Sequence, residues 1–205
     1  MLDEIRAELA PTGILRAGIN LSNFLLVTDK TPEGDPIGVS PDMARAVADR
    51  LDVRVKYITF ASPGELADAA VEDVWDIGNI GAEPERAKTI AFSAAYAEIE
   101  ATYLLPAGSL MQSVDEVDRE GVRIGVYGRS AYGLWLADNI KNAELVKTDG
   151  VDASFDIFVE QGLEVMAGLR PRLITDVEKL PGARILDGQF TAVQQAIGTK
   201  PERVA

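Results

Sequence analysis

An α/β fold divided into two lobes is what this sequence predicts, and three observations carry the prediction. Strand-like apolar runs alternate with segments whose apolar residues recur at helical spacing, the pattern of parallel strands joined by helices. The alternation occurs twice, on either side of a long extended run from Ala97 to Pro106. The 205 residues, 47% of them hydrophobic, suffice for one large domain or for two small lobes, each with a core.

In the first half, Leu2, Ile5 and Leu9 share a helical face that Pro11 closes. Ile14 to Asn20 reads as a strand ending at Asn20-Leu21-Ser22-Asn23, and Thr28 to Pro36 as a polar turn. Ser40 is placed as an N-cap, with Pro41 at the first helical position, Asp42 in the first turn and Ala44, Val47, Ala48 and Leu51 as the buried stripe. Val53, Val55 and Tyr57 alternate as a strand. Ser62-Pro63-Gly64-Glu65 forms a capping box opening a helix with Leu66, Ala69 and Ala70. A buried-looking strand, Trp75 to Ile80, then stops at small residues, and a proline-bearing turn presents Arg86. Ligands of such sheets bind at strand carboxyl ends, where Asn20, Asn23 and the segment Gly81 to Arg86 all fall.

The second half repeats the logic. A short helix at Ser113 to Glu116 precedes an alternating strand, Val122, Ile124 and Val126, which ends at Tyr127-Gly128-Arg129-Ser130-Ala131-Tyr132. A helix from Ala131 to Lys141, a strand around Leu145 to Lys147, a helix marked by Val151, Phe155, Phe158 and Val159, a strand from Leu163 to Ala167 and a helix with Ile174 and Val177 follow. Gln189 to Gly198 reads as an extended return to the first lobe. The lobes are therefore assigned as residues 1–106 with 190–205, and residues 107–189.

Composition removes whole chemistries. There is no cysteine and no histidine, hence no disulfide, thiol nucleophile, zinc–thiolate site, histidine-ligated metal or Ser-His-Asp triad. No Walker A motif is present, and Gly125-Val126-Tyr127-Gly128 has the wrong spacing for a dinucleotide fingerprint. No metal, no organic cofactor and no catalytic residue are expected. The net charge of −13 argues against nucleic acid and anionic membranes as partners. No stretch has the length of a membrane-spanning helix, and the acidic start Met1-Leu2-Asp3-Glu4 is unlike a signal peptide. A monomer is expected.

Three stretches carry a resemblance. Gly38-Val39-Ser40-Pro41-Asp42-Met43-Ala44 is a glycine turn and capped helix; Gly78-Asn79-Ile80-Gly81-Ala82-Glu83-Pro84-Glu85-Arg86 is followed by Phe92-Ser93-Ala94-Ala95-Tyr96; and Gly128-Arg129-Ser130-Ala131 opens a second-lobe helix. In order and spacing they resemble the family 3 extracellular solute-binding proteins, the amino-acid receptors of bacterial ABC importers, over roughly residues 13–200. The resemblance implies a two-lobed periplasmic-binding-protein-like (type II) fold with two hinge crossings, near Leu104 to Gly108 and Gly188 to Thr191. It implies capture of a small carboxylate-bearing ligand, an amino acid or related organic acid, and delivery to an ABC permease if the protein is exported. It implies a periplasmic location, whereas a native start at Met1 would mean the cytoplasm.

Under this resemblance Arg86 grips the ligand carboxylate with its planar fork, and Ser130 caps a helix and donates to the same carboxylate beside Arg129 and Ala131. Asn20, Asn23, Asn79 and Gly81 supply polar or backbone partners. The bland readings are a surface arginine paired with Glu83 or Glu85, and an ordinary N-cap serine. Departures from the family stand beside the matches. Asn23 occupies the neighbourhood of a usual aromatic, for which Phe24 or Phe60 is an alternative, though both are read as core. Val165 to Arg170 has no acid for a ligand ammonium, leaving Asp176 or Glu100 as substitutes and Arg170 as a possible second anion contact. The helix that usually follows the return crossing is missing from the sequence. Two other functions fit the fold: a cyclohexadienyl-dehydratase-like enzyme with a carboxyl general acid, and a ligand-sensing domain.

Overall fold

The structure, a computed structural model, describes residues 2–203. Met1, and Val204 and Ala205 at the end of the assigned first lobe, lie outside the described residues. In chain order the elements are α1 (Leu2–Leu9), β1 (Ile14–Asn20), β2 (Asp29–Lys30), β3 (Pro36–Ile37), α2 (Val39–Arg50), β4 (Arg54–Phe60), α3 (Pro63–Asp68), β5 (Ile77–Ala82), β6 (Ala91–Phe92) and β7 (Ala97–Leu105). They continue with β8 (Arg123–Tyr127), α4 (Ala131–Asn139), β9 (Glu144–Thr148), α5 (Val151–Glu160), β10 (Val165–Leu169), α6 (Arg170–Val177), β11 (Arg184–Ile185) and β12 (Thr191–Thr199).

The chain separates into two compact units, Met1–Ala97 with Gln195–Ala205, and Glu98–Gln194. These divisions fall at the start of β7 and inside β12, whereas the sequence places them at 106/107 and 189/190.

Unit 1 is built on parallel strands, β1 pairing with β4 on one side and β5 on the other, so that Ile19 lies opposite both Thr59 and Asn79. β12 follows β5 in the sheet and carries β6 antiparallel. The two faces bury separate clusters. Leu15, Ala17, Ile19 and Ile77 pack with Ala44 and Ala48 of α2, while Leu66, Ala69, Trp75, Ile80 and Ile90 form the other. The cap at Ser62 is present, its hydroxyl accepting from Glu65 N at 3.1 Å, but the reciprocal half of the box is shifted, the Glu65 carboxylate accepting from Ala61 N, one residue before the cap. Ser40 is not the N-cap of α2. Gly38 is, at φ 140, where a Cβ would lie 2.5 Å from the Leu26 carbonyl oxygen, and the Ser40 hydroxyl instead meets Tyr96 Oη at 3.1 Å. Phe24, read as core, is 45% exposed.

In unit 2 the order is β7-β10-β8-β9, with β10, β8 and β9 parallel and β7 antiparallel to β10. Tyr103, Ile124, Val126 and Ala167 bury against Tyr132 and Leu136 of α4. Leu104 and Met166, which alternate with them, bury against Phe158 and Leu173 of α5 and α6.

The two units share one ionic device. In unit 1, Arg16 of β1 donates its backbone N and Nε to Asp76 Oδ2 and its Nη2 to Oδ1, Asp76 being the residue before β5. In unit 2, Arg123 of β8 makes the same three contacts with Glu164, the residue before β10. Each pair fastens the entry of one parallel strand to its neighbour through a planar fork. The unit 1 version is deeper: the Asp76 side chain is 2% exposed and also accepts from Arg203 Nη1, while Asp73 gathers Arg16, Lys200 and Arg203. Burial pushes the Asp76 pKa up, but its bonds to Arg16 and Arg203 outweigh burial and hold it below the usual range. The bond to Arg123 holds Glu164 down, and backbone N–H groups led by Ala143 hold Asp118 down.

These depressed carboxylates contribute stability that is fully present above their unfolded values near pH 4 and is lost as pH falls through their lower folded values. Thermal melts between pH 7 and 2 are expected to show a steep loss only below about pH 4. Asp76→Asn removes the buried one of the two carboxylates that Arg16 and Arg203 share and is expected to cost about 3 kcal/mol by urea denaturation, more than Glu164→Gln.

Candidate functional site

The carboxyl ends of β1 and β5 gather the polar residues of unit 1. β5 runs Ile77-Gly78-Asn79-Ile80-Gly81-Ala82, buried through Gly81, so any polar atom in it needs a partner. The chain then turns through Glu83-Pro84-Glu85 into a short 3₁₀ turn, Arg86–Lys88. Glu83 holds that turn: its carboxylate accepts from Glu85 N at 2.9 Å and Arg86 N at 2.6 Å. Arg86 folds back, giving Nη1 to the Gly81 carbonyl at 2.7 Å, with Nε 3.7 Å from Glu83 Oε1.

Both of these side chains are buried, Arg86 at 4% and Glu83 at 6% exposure. Glu83 is thus the arginine's partner, but the pair is no surface pair, and Lys88 takes Glu85. A guanidinium removed from water to this degree needs compensation by charge and by hydrogen bonds, and Gly81 and Glu83 supply both.

A second polar chain lies on β5 two residues earlier. Asn79 is 2% exposed, and its Nδ2 donates to Tyr96 Oη at 3.4 Å. That oxygen is in turn 3.1 Å from Ser40 Oγ at the start of α2. Tyr96 is held by β12, giving its N–H to the Gln195 carbonyl, while Ser93 exchanges bonds with Ile197 through its N–H and its hydroxyl. Asn79 Oδ1 and Asn23 Oδ1 are buried without a hydrogen-bond partner. Asn20 Oδ1 is used locally, accepting from Ser22 N at 3.1 Å and Ser22 Oγ at 2.8 Å.

In unit 2 the corresponding strand end is Tyr127, followed by Ser130 as the N-cap of α4. The Ser130 hydroxyl accepts from Gly133 N at 2.9 Å and donates to the Tyr127 carbonyl at 2.7 Å. Its proton is therefore engaged within the turn, and a bond to a ligand would replace the one to Tyr127. The backbone N–H groups at the start of α4, Ala131 first, point out of the helix end as at any helix N-terminus. The turn is tight: a Cβ on Gly133 would come 2.2 Å from the Tyr127 carbonyl oxygen. Tyr132 is enclosed beside it, and burial pushes its hydroxyl pKa up to about 12. Arg129 is exposed.

Acidic groups near the end of β10 are committed elsewhere. Asp176 is fully buried and bound by Arg172 at 2.8 Å and Lys179 at 2.9 Å. Glu100 accepts from Arg170 Nε at 2.6 Å, and Arg170 also reaches the carbonyl of Gly188. Among the described residues no cluster of three or more acids is arranged to hold a metal ion, and no helix is long and apolar enough to cross a membrane.

Within unit 1, therefore, the structure joins Arg86 to Gly81, and Asn79 to Tyr96 and Ser40; within unit 2 it joins Ser130 to its own turn. Tyr96, Ser40 and Glu83 are participants for which sequence reasoning holds no place in a ligand site: Ser40 is read there as an N-cap, and Glu83 only as a surface partner of Arg86. Tyr96 stood in the quoted Phe92 to Tyr96 run, but its partners are 17 and 56 residues away.

The sequence profile of the bacterial extracellular solute-binding proteins, family 3, matches residues 18–199. No curated protein matches the chain by sequence. Among solved structures, holo ArgBP from T. maritima is 18% identical with a TM-score of 0.73, covering 95% of this chain and 86% of that one. An amino acid ABC transporter substrate-binding protein, AbpA of Streptococcus pneumoniae, bound to L-arginine, is 19% identical with a TM-score of 0.72, covering 95% and 84%. An ancestral amino acid-binding protein described as a precursor of cyclohexadienyl dehydratase is 20% identical with a TM-score of 0.71, covering 98% and 86%. The fold is that of type II periplasmic binding proteins.

Ser130→Ala removes the α4 cap and is expected to cost about 1 kcal/mol in a urea melt.

Proposed function

The chain belongs to the bacterial extracellular solute-binding proteins, family 3, and from that premise we propose that it captures a small carboxylate-bearing solute, an amino acid or related organic acid, for ABC-type import. The observation that carries this reading is Arg86, a guanidinium held almost out of water at the end of β5 by Gly81 and Glu83. In that setting one charge-assisted contact to a carboxylate is worth more than on an open surface. Within unit 2, the Ser130 turn with the N–H groups that open α4 is a candidate carboxylate contact in its own right. Asn20, Asn23, Asn79, Gly81, Arg129 and Ala131 are the remaining proposed ligand neighbours. Ligand contacts that favour one conformation of the protein shift its population, so capture needs no bond to be made or broken.

We infer binding rather than catalysis. A dehydratase of this fold needs a carboxyl group able to protonate a leaving hydroxyl. Asp176 of α6, and Glu100, the neighbour of the Ala101 that pairs with Leu169 at the end of β10, are tied to Arg172, Lys179 and Arg170. Incubation with prephenate or arogenate is expected to leave both unchanged, and product formation would reverse this inference.

A thermal-shift screen across L-amino acids and simple carboxylates tests the proposal, because a ligand of the folded state raises the melting temperature by mass action. At least one carboxylate is expected to do so, and a flat response across the panel would remove the proposal. For a compound that binds, Arg86→Ala is expected to weaken affinity by one to two powers of ten, roughly the 1.5–3 kcal/mol of a charged hydrogen bond.

A further inference from the structure

A buried carboxylate already stands at the guanidinium that a ligand carboxylate would use. The Glu83 side chain is 6% exposed, and its Oε1 lies 3.7 Å from Arg86 Nε. Both of its oxygens are tied into the turn that presents the arginine. Oε1 accepts from Arg86 N at 2.6 Å and Oε2 from Glu85 N at 2.9 Å. Swinging Glu83 aside would strip two N–H groups at the start of the 3₁₀ turn of their acceptor. Arg86 is fastened in turn to the Gly81 carbonyl on β5, which is buried through Gly81. Both members of the pair are thus secured to the backbone of one short segment.

We propose that Glu83 is a resident competitor for Arg86: it stabilises the folded site and lowers the site's preference for a carboxylate over an uncharged group. This rests on the carboxylate-binding reading given above. The guanidinium and the Glu83 carboxylate together carry no net charge, so a ligand carboxylate turns the assembly into an anion with two carboxylates at one fork. A ligand oxygen at a charged hydrogen-bond length from the guanidinium lies within roughly 9 Å of Glu83 Oε1. Like charges at that separation repel, and the more so where side chains are drawn out of water. An uncharged group of the same shape meets the guanidinium donors without that repulsion. With no ligand the effect of Glu83 has the opposite sign, because the same carboxylate offsets the cost of holding a guanidinium in the interior. One side chain therefore raises stability while it limits anion affinity.

Glu83→Gln tests this, because the amide keeps the shape and an oxygen acceptor for the turn while removing the charge. Calorimetry with the full chain uses the L-amino acids, acetate, lactate and pyruvate, each beside its own primary amide. For any acid that binds, the preference for acid over amide is expected to widen at least about threefold in Glu83→Gln. Without ligand the same variant is expected to melt at a lower temperature than the unsubstituted protein, since Arg86 then lacks its buried anion. A purely structural Glu83 would lower stability and leave the preference unchanged or smaller. The double variant Arg86→Ala/Glu83→Gln, which holds neither charge, serves if the single variant does not fold. Its preference for acid over amide is expected to exceed that of Arg86→Ala by the same factor. A preference that fails to widen in whichever comparison is made, or a melting temperature of Glu83→Gln that does not fall, would overturn the assignment of Glu83. The carboxylate reading would still stand wherever Arg86→Ala reduces the preference. If no acid in the series binds, both readings fall together.

Discussion

A guanidinium at 4% exposure dictates the form of the β5 end. Left without partners, the Arg86 charge would cost several kcal/mol in the interior, so the chain around it is organised as its counterpart. Glu83 serves twice, as the opposing charge and as the acceptor for the N–H groups that open the 3₁₀ turn. Gly81 offers its carbonyl to Nη1, and Ile90, whose N–H bonds to the Arg86 carbonyl, anchors the turn in the core. A lysine could keep the charge but not the fork, and would satisfy Gly81 and Glu83 less completely. Desolvation of its charge makes the arginine expensive to bury, and the partners that offset that cost also hold its planar fork in the fixed geometry that the proposed carboxylate contact uses.

Each unit is stapled internally by the same ionic device. Arg16 with Asp76 and Arg123 with Glu164 each tie the entries of adjacent parallel strands through a backbone N–H and two guanidinium donors. The staples sit at the amino ends of β1 and β5 and of β8 and β10, whereas the candidate ligand residues follow the carboxyl ends of β1, β5 and β8. Stability and recognition are thereby assigned to opposite ends of the same strands, as in other open α/β sheets. In unit 1 the staple also receives Arg203, so the end of the described chain is fastened to the strand that leads to Asn79 and Gly81.

What the sequence disclosed follows the range of the interactions. β1 was legible to the residue, and the Ser62 cap was legible because Ser62 and Glu65 are neighbours. The α2 start was not, because the Ser40 hydroxyl is claimed by Tyr96 and the close approach of Leu26 at Gly38 sets the cap. The Ser130 cap was legible for the same local reason as Ser62, whereas its donation to Tyr127 rather than outward was not. Arg86 was found through its motif, but its burial depends on how β5 is covered, which no spacing reveals. The unpaired oxygen of Asn79 is further still from sequence, since it depends on which side of the amide Tyr96 takes.

The central claim is that Arg86 reads a carboxylate. Its most direct measurement is calorimetric comparison of a bound acid with its own primary amide, which keeps the shape and removes the charge, in the unsubstituted protein and in Arg86→Ala. The account predicts that the acid binds at least about tenfold more tightly than the amide, and that most of this preference disappears in the variant. An amide that binds as well as the acid, or a preference that Arg86→Ala leaves intact, would contradict it.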